Sequence, residues 1–448
     1  MSRKKNRFLG TYIVVGIAVL LGVYVYQSEK GGRVDRSAVR IFDVDKEDIT
    51  GIELSNVADN TLISLQKSGK NWKMLKPGDY ELDKGEVEGL VNNIADLRVE
   101  RKVKENVTDF AAYGLDKPSY KAAFIEKGKR RVYLIGNKNP TQVSYYVIDE
   151  SGKDLYTAFN YSVENLKKDL KSLRKKYLTD LEPEKLTALS IKLDTKEVNL
   201  EKTGDKWFIS PYNYECDKTA VSDLIDRVKN LKAIDFIEDA PKSQVKYGLE
   251  SPRVIITAVS GAEKVVILVG KKVAEKEEDY VKVGGKAAVY SVDRYFTQSF
   301  NKTYNDFRSK NLLVLKPAEI TAVEIEKGGK KIAVSKDKSG KFKLDKPYNK
   351  PADLQVLDLV NCLSSLTAQK FTDDSGKRFE KYGLKVPTAS VALYAQTGGE
   401  KKLKAKLLLG SAEKDDLYVR FDGEEPVFAV SKALLDKLTV LDSIAKAK

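Results

Sequence analysis

The segment Tyr113-Gly-Leu-Asp-Lys-Pro118 occurs three times in this chain of 448 residues. It returns as Tyr247-Gly-Leu-Glu-Ser-Pro252 and as Tyr382-Gly-Leu-Lys-Val-Pro387, at offsets of 134 and 135 residues. Glycine permits a positive φ or a close backbone approach, and proline fixes the backbone where the next segment begins. The motif therefore predicts a rigid corner in each of three repeats.

Other features return with the same period. An aromatic residue followed by a proline recurs as Trp72 and Pro77, Trp207 and Pro211, and Phe342 and Pro347. Five apolar positions with identical spacing follow each proline: Val87, Leu90, Val91, Ile94 and Leu97; Val221, Leu224, Ile225, Val228 and Leu231; and Val356, Leu359, Val360, Leu363 and Leu366. This period exceeds that of ordinary solenoid repeats, so each copy is predicted to be a small domain.

Each copy is predicted to be an α+β unit, a mainly antiparallel sheet with one packed amphipathic helix. Short alternating strands come first, and the aromatic residue is expected to begin the third strand and to anchor the core. The five apolar positions form one helical stripe that must lie on the sheet. Asp83 and Asp217 are the predicted N-caps, with Asp353 offset by one position. A loop, the corner and four more strands follow, the second of them ending in glycine, and a short helix closes the unit.

The repeats set the predicted domain boundaries. Residues 1–36 are assigned to a cytoplasmic N-terminus, a transmembrane anchor and a linker. The three repeat units are assigned to residues 37–180, 181–315 and 316–448.

The stretch Phe8–Tyr26 is uncharged and almost wholly apolar. As a helix it would span about 28 Å, enough to cross the hydrocarbon core of a bilayer. Basic residues, among them Arg3 and Arg7, precede it, so the N-terminus is predicted to stay inside and the remaining chain to be extracytoplasmic. A cleaved signal peptide and a buried core helix are the alternatives. The stretch has no small-residue cleavage site, and its all-round apolarity favours an uncleaved single-pass anchor in the cytoplasmic membrane.

The composition excludes several classes of protein. The chain has no histidine, which removes a His-dependent triad or His metal ligands. Its two cysteines, Cys216 and Cys362, form no CxxC pair and are expected to be two separate thiols. The net charge of +14 is dispersed among many acids, so we expect no nucleic-acid partner.

The short chemical motifs in this chain predict no catalytic, cofactor or metal site. Ser335-Lys-Asp-Lys338 fits SxxK and Lys202-Thr-Gly204 fits KTG, as in serine acyl-transfer enzymes. SxxK is frequent in so lysine-rich a chain, and the two motifs stand in the reverse of the usual order. The acidic clusters Asp373-Asp374, Asp415-Asp416 and Glu277-Glu278-Asp279 are interpreted as solvated surface, because adjacent side chains diverge. No nucleotide-binding glycine loop is present, so no cofactor is expected.

The repeat-signature residues are the remaining candidates for a site. They either bind a ligand or partner or form a structural corner, and their glycines and prolines favour the structural role. These residues are Trp72, Tyr113, Gly114, Leu115, Pro118, Trp207, Tyr247, Gly248, Leu249, Pro252, Phe342, Tyr382, Gly383, Leu384 and Pro387.

The lone apolar span, the aromatic-to-proline spacing, the helical stripe and the Tyr-Gly-Leu-x-x-Pro corner together resemble the bacterial domain-of-unknown-function family DUF4340. The resemblance covers roughly residues 45–448. It implies a membrane-anchored extracytoplasmic protein, of a kind often encoded beside ABC-transporter permeases and auxiliary components of the gliding-motility type. It implies no catalytic residue, since none is established for that family. The third copy departs most, with Phe342 in place of tryptophan and a longer segment before Gly410.

The sequence therefore predicts a non-enzymatic, membrane-anchored scaffold or binding protein, accessory to an ABC-transporter or envelope complex. Repeated surfaces without a catalytic constellation suit multivalent contact. A binding module for an envelope polymer or anionic lipid is the alternative. A serine-type cell-wall enzyme is the third hypothesis.

Overall fold

The computed structural model describes residues 39–397 and 400–446. The predicted span Phe8–Tyr26 lies outside these described residues. Within them, no helix is long and apolar enough to cross a bilayer. The chain divides into two compact units between Tyr177 and Leu178. The first unit contains one large sheet, and the second unit contains two.

Every strand pair in the three large sheets is antiparallel, which confirms the α+β prediction. The first unit is built from β1 Val39–Arg40, β2 Ile49–Asn56, β3 Thr61–Ser68, β4 Asn71–Lys76, β5 Arg98–Val99, β6 Arg101–Glu105, β7 Tyr120–Glu126, β8 Lys129–Lys138, β9 Ser144–Asp149 and β10 Asp154–Phe159. Its sheet has the order β4-β3-β2-β7-β8-β9-β10-β6, while β1 pairs separately with β5.

The two sheets of the second unit repeat this order. The first of them comprises β11 Ala188–Leu193, β12 Lys196–Thr203, β13 Lys206–Ser210, β14 Tyr214–Glu215, β15 Asp235–Glu238, β16 Val254–Ser260, β17 Glu263–Lys272, β18 Glu278–Val283 and β19 Val289–Asp293. The last sheet comprises β20 Ile320–Lys327, β21 Lys330–Lys336, β22 Phe342–Leu344, β23 Lys370–Asp373, β24 Ala389–Thr397, β25 Glu400–Glu413, β26 Asp416–Phe421 and β27 Val427–Ser431. In every repeat a three-stranded meander, extended by β14 in the second repeat, lies beside a four-stranded one, so the three copies share one basic topology. The boundaries drawn between the repeats from the sequence stay predictions.

One long helix packs on each of the first two sheets, and two long helices, α7 and α8, pack on the third. The helices are α1 Lys84–Ala95, α2 Asn160–Glu164, α3 Leu170–Leu173, α4 Lys218–Lys229, α5 Arg294–Gln298, α6 Tyr304–Phe307, α7 Asp353–Ser364 and α8 Ala433–Lys446. Short 3₁₀ turns lie at Lys46–Asp48, Ala111–Tyr113, Pro183–Lys185, Val245–Tyr247, Pro317–Glu319 and Phe379–Tyr382. All five apolar positions of each predicted stripe are buried, the fifth just beyond the end of α1, α4 or α7.

The N-caps follow the sequence in two helices and not in the third. Asp83 accepts a hydrogen bond from the backbone N–H of Glu86, and Asp217 accepts one from that of Ala220. The third helix is capped by Ala352 without a side-chain hydrogen bond. Asp353 instead accepts a hydrogen bond from the backbone N–H of Phe342, which ties the start of α7 to β22.

The segment after each helix was expected to be a loop, and this expectation is wrong. Strands β6, β15 and β23 run along the far edge of their sheets, paired with β10, β19 and β27. All five residues of β6 are exposed, so the segment has no alternation of apolar and polar residues to identify it as a strand.

In two of the three repeats, the third strand buries a different residue in the core from the one expected. Phe342 is fully buried, as predicted, whereas Trp72 and Trp207 are only half-buried. The residues two positions further along, Met74 and Ile209, point to the same face and are fully buried. The two tryptophans therefore pack at the rim of the core.

The linker between the two sheets of the second unit places a buried arginine between them. The guanidinium of Arg308 lies 2.8 Å from Asp374 and stacks 3.5 Å from the ring centre of Tyr214 and 4.5 Å from that of Phe371. The hydroxyl of Tyr304 donates a second hydrogen bond to Asp374, and burial raises the pKa of this tyrosine to about 12. Each sheet thus contributes a ring to the arginine, which holds the two sheets together.

We expect Arg308→Ala to destabilise the second unit by about 3–5 kcal/mol, because it leaves a largely buried carboxylate without its cation. Arg308→Lys should destabilise the unit by less than Arg308→Ala does. It keeps a positive charge, but an ammonium lacks the planar face that stacks on aromatic rings. Denaturant unfolding measures both changes. The matched control is Lys316→Ala, which removes an exposed ion pair with Glu319 and should cost at most about 1 kcal/mol. Equal costs for the arginine and the control would contradict this role.

Candidate functional site

The Tyr-Gly-Leu-x-x-Pro residues form a tight corner in all three repeats. The glycines Gly114, Gly248 and Gly383 have φ values of 67°, 69° and 67° and end short 3₁₀ turns. This left-handed backbone is available to glycine without a steric penalty. The leucine that follows is buried in every copy.

The tyrosine of each corner packs against a second tyrosine. The sequence predicted that this second tyrosine lies in a strand but did not predict the contact. The ring centres are 4.9 Å apart for Tyr113 and Tyr146, 5.0 Å for Tyr247 and Tyr280, and 5.0 Å for Tyr382 and Tyr418. These pairs belong to small apolar clusters separate from the main cores. The corner therefore covers the sheet face opposite the long helix, and the observed contacts are those of a structural element.

A second glycine makes this corner possible. A Cβ on Gly136 would lie 2.3 Å from the carbonyl oxygen of Tyr113, and Cβ atoms on Gly270 and Gly410 would lie 2.1 Å from the equivalent oxygens. The strands were expected to end at these glycines, which is wrong. They continue to Lys138, Lys272 and Glu413 because glycine lets the corner approach without interrupting the strand.

The serine-type motifs are not brought together. Ser335 lies on β21, where its hydroxyl donates to Asp345, whereas Lys202-Thr-Gly204 lies at the end of β12 in another sheet. Cys216 and Cys362 are separate free thiols, and burial raises the pKa of Cys216 to about 12.

The interpretation of the acidic clusters as solvated surface is wrong for three carboxylates. Asp279, Asp373 and Asp374 are buried or nearly so, and each faces an arginine. The hydrogen bond from Arg378 holds the pKa of Asp373 well below its usual range. Among the described residues, no group of carboxylates and cysteines is arranged to hold a metal ion.

A groove in the first unit lies between the β3–β4 hairpin and helix α1. It has a volume of about 810 Å³. Half-buried Trp72 and Tyr80 provide aromatic surface, and Arg174 stacks 4.2 Å from the ring centre of Tyr80. Exposed lysines and acids alternate around the rim: Lys46, Glu47, Lys70, Lys73, Asp79, Lys84 and Glu88.

Strand β4, which borders this groove, is the outer strand of its sheet. Within the described residues, no backbone hydrogen bond outside the β3–β4 ladder involves residues 71–76. The equivalent strands are covered by the chain that follows them. In the second repeat, Cys216 donates to the carbonyl of Trp207, and in the third repeat Leu344 donates to that of Lys350.

The turn after the proline explains this difference. In the covered repeats an asparagine, Asn213 or Asn349, follows the Pro-Tyr pair in the left-handed conformation, at φ values of 58° and 52°. Asparagine tolerates this region better than most residues, so the chain can fold back along the strand. The first repeat has Gly78-Asp79 at these positions, and neither residue has a positive φ. The replacement of Tyr-Asn by Gly-Asp was the sequence signal for the open edge.

An open edge strand beside a groove can bind an extended peptide as an added strand. Main-chain hydrogen bonds then supply affinity, and the groove accepts alternate side chains. Lysines on an edge strand also hinder self-association of the sheet. Lys73 and Lys76 therefore favour a partner segment that carries acidic residues over a second copy of the same strand.

The family comparison finds the same three copies. A family model described as "Domain of unknown function (DUF4340)" matches residues 72–209, 207–371 and 343–447. Each match starts at or next to the aromatic position of a third strand. The first two matches continue into the third strand of the next sheet or beyond it. No curated protein matches the chain.

We expect Gly136→Ala to destabilise the first unit by about 1–3 kcal/mol or more, because the added methyl group would overlap the Tyr113 carbonyl. Gly89→Ala is the matched control, since Gly89 lies in α1 with nothing within 4 Å of an added Cβ. It should stabilise the unit by roughly 0.5–1 kcal/mol. Thermal and denaturant unfolding measure both. A neutral result for Gly136→Ala would show that the corner is loosely packed.

A reciprocal exchange of turns tests the open edge. Gly78→Tyr with Asp79→Asn should fold the turn back over β4 and slow amide hydrogen exchange in residues 71–76. One added hydrogen bond corresponds to roughly a tenfold change. Tyr212→Gly with Asn213→Asp should open β13 and accelerate exchange in residues 206–210. Unchanged exchange in both variants would show that the turn sequence does not control the edge.

Proposed function

The chain belongs to the DUF4340 family, and from that premise we propose that it is a membrane-anchored extracytoplasmic scaffold that binds a partner protein through the open edge of its first repeat. The partner class proposed is an ABC-transporter permease or an associated envelope complex. The proposed role is recruitment, and no catalytic step is assigned to the chain.

The anchor is proposed from the N-terminal sequence. Phe8–Tyr26 has the length and apolarity of a single span, and the basic residues before it favour an N-terminus on the cytoplasmic side. This orientation would keep the repeats next to the outer surface of the membrane. A partner embedded in the same membrane would then meet the scaffold at a high effective concentration.

The observation that carries the proposal is the uncovered β4 beside the groove at Trp72. All three repeats share one basic strand order, yet among the described residues it is the third strand of the first repeat that receives no backbone hydrogen bond from the chain that follows it. A feature that the fold does not require, and that two sister copies lack, is best explained by a use for the exposed strand.

The described side chains favour binding over acyl transfer. Ser335 is hydrogen-bonded to Asp345 and lies in a different sheet from the Lys202-Thr-Gly204 motif, so the described residues do not bring the two motifs of a serine acyl-transfer enzyme together. The enzyme hypothesis is therefore the weakest of the three.

Site-specific photocrosslinking in cells tests the partner. A benzophenone amino acid at position 73, on the open strand, should crosslink to an integral membrane protein of the permease type, identified by mass spectrometry. The matched control is position 343, also a lysine on a third strand, which pairs with Pro351 of its own chain. It should give no such product.

Absence of a product at position 73, or equal products at both positions, would contradict docking at the edge. The same cells test the anchor, because deletion of residues 8–26 should release the protein from the membrane fraction. Protease added to spheroplasts should digest the repeats. Protection of the repeats would place them on the other side of the membrane.

A further inference from the structure

Three exposed apolar side chains lie together at one end of the first sheet and form what is called below the apolar patch. Val143 is 54% exposed, Phe159 38% and Tyr161 65%. The rings of Phe159 and Tyr161 are stacked with their centres 5.8 Å apart. The carbonyl of Val143 accepts a hydrogen bond from the backbone N–H of Asn160, the residue between the two rings in the chain. Such a cluster, unlike a single exposed apolar residue, marks an interaction surface.

The fold does not require apolar residues at these positions. Val143 directly precedes a strand, Phe159 is the last residue of a strand, and Tyr161 follows two residues later. The equivalent residues of the other two repeats are also exposed, but most of them are acidic, polar or small, so the apolar cluster is a property of the first repeat. In the same order, they are Glu277, Asp293 and Tyr295 in the second repeat and Asp415, Ser431 and Ala433 in the third.

The described part of the chain begins beside this patch. Val39 pairs with Val99 in the short β1–β5 ladder. The next residue, Glu100, accepts a hydrogen bond through its carboxylate from the hydroxyl of Ser144. Ser144 in turn pairs with Phe159 in the β9–β10 ladder. The segment that precedes Val39 therefore joins the first repeat at the same end of the sheet as the apolar patch.

The length of that segment limits how far the patch can lie from the predicted span. The twelve residues 27–38 connect Phe8–Tyr26 to Val39. Fully extended, they reach at most about 40 Å. An anchored chain would thus hold this end of the first repeat close to the bilayer that contains the span.

We propose that the apolar patch enters the headgroup interface of the bilayer that holds the N-terminal span, and so fixes how the first repeat stands on the membrane. The inference rests on the anchor of the proposed function. Stacked Phe and Tyr rings suit this interface, because the rings face the acyl chains while the Tyr hydroxyl stays hydrated. Three side chains bury little area, but the tether supplies a high effective concentration of lipid.

Photocrosslinking to lipid tests this contact. The full chain, with a benzophenone amino acid at position 161, is reconstituted in vesicles of phosphatidylethanolamine and phosphatidylglycerol. After irradiation, mass spectrometry should find protein that is heavier by one phospholipid. The matched control is position 129, an exposed lysine at the start of β8. It lies about 30 Å along that strand from Lys138, which pairs with Tyr145 close to the patch, and should give little or no adduct.

A double substitution separates the patch from the anchor. Val143→Glu with Phe159→Asp introduces the residues that the second repeat carries at these exposed positions, so the melting temperature should not change. The yield of lipid adduct at position 161 should fall roughly tenfold, because charged side chains enter the interface reluctantly. Flotation of the chain with the vesicles should persist, since the anchor is intact. High salt should leave the adduct of the unaltered patch in place, because salt screens charges and does not weaken apolar burial.

Four results would overturn the inference and leave the anchor standing. Position 161 gives no lipid adduct in a chain that floats with the vesicles, positions 161 and 129 give equal adducts, the double substitution leaves the yield unchanged, or high salt removes the adduct. A crosslinked dimer in place of the lipid adduct would assign the patch to a second copy of the chain. A chain that does not float refutes the proposed anchor and this inference with it. If the double variant fails to fold, the comparison of positions 161 and 129 decides the question.

Discussion

Burial of one helical stripe against one face of an antiparallel sheet is the interaction on which each repeat depends. The stripe supplies four or five buried side chains from α1, α4 or α7, and the sheet supplies the facing apolar positions. The opposite sheet face is closed by the tyrosine corner and its glycine partner. These two layers fix the topology and leave the sheet edges and the connections free to differ.

The differences between the copies are concentrated at those free positions. Within the described residues, the first repeat leaves β4 uncovered beside a groove, and the second buries Asp279 and Thr297 beside a cavity. The third ends in α8, a helix of 14 residues that packs where the other copies have short helices. Three copies of one fold thus offer different surfaces. In the second unit the stacked guanidinium of Arg308 joins two of the copies.

The regular parts of the fold could be predicted because their signals are local and repeated. The helical stripe, the strand alternation, the N-caps at Asp83 and Asp217 and the need for glycine at Gly114 all follow from short spacings. The far-edge strand β6 could not be predicted, because an exposed edge strand has no buried face to produce alternation. The recurring tryptophans were expected to anchor the core, yet the strand register buries Met74 and Ile209 instead.

The sequence by itself determined the number of repeats, their α+β class and their family. Buried faces require apolar residues, and tight turns require glycine or proline, at fixed spacings along the chain. Tertiary structure decided which hydrogen-bonding groups have no partner and which charged groups are buried. Whether β4 has a backbone partner depends on whether the turn after it leads the chain back along the strand. Whether Asp279 is buried depends on residues dozens of positions away. Such properties arise from contacts between distant segments, so no short pattern in the chain encodes them.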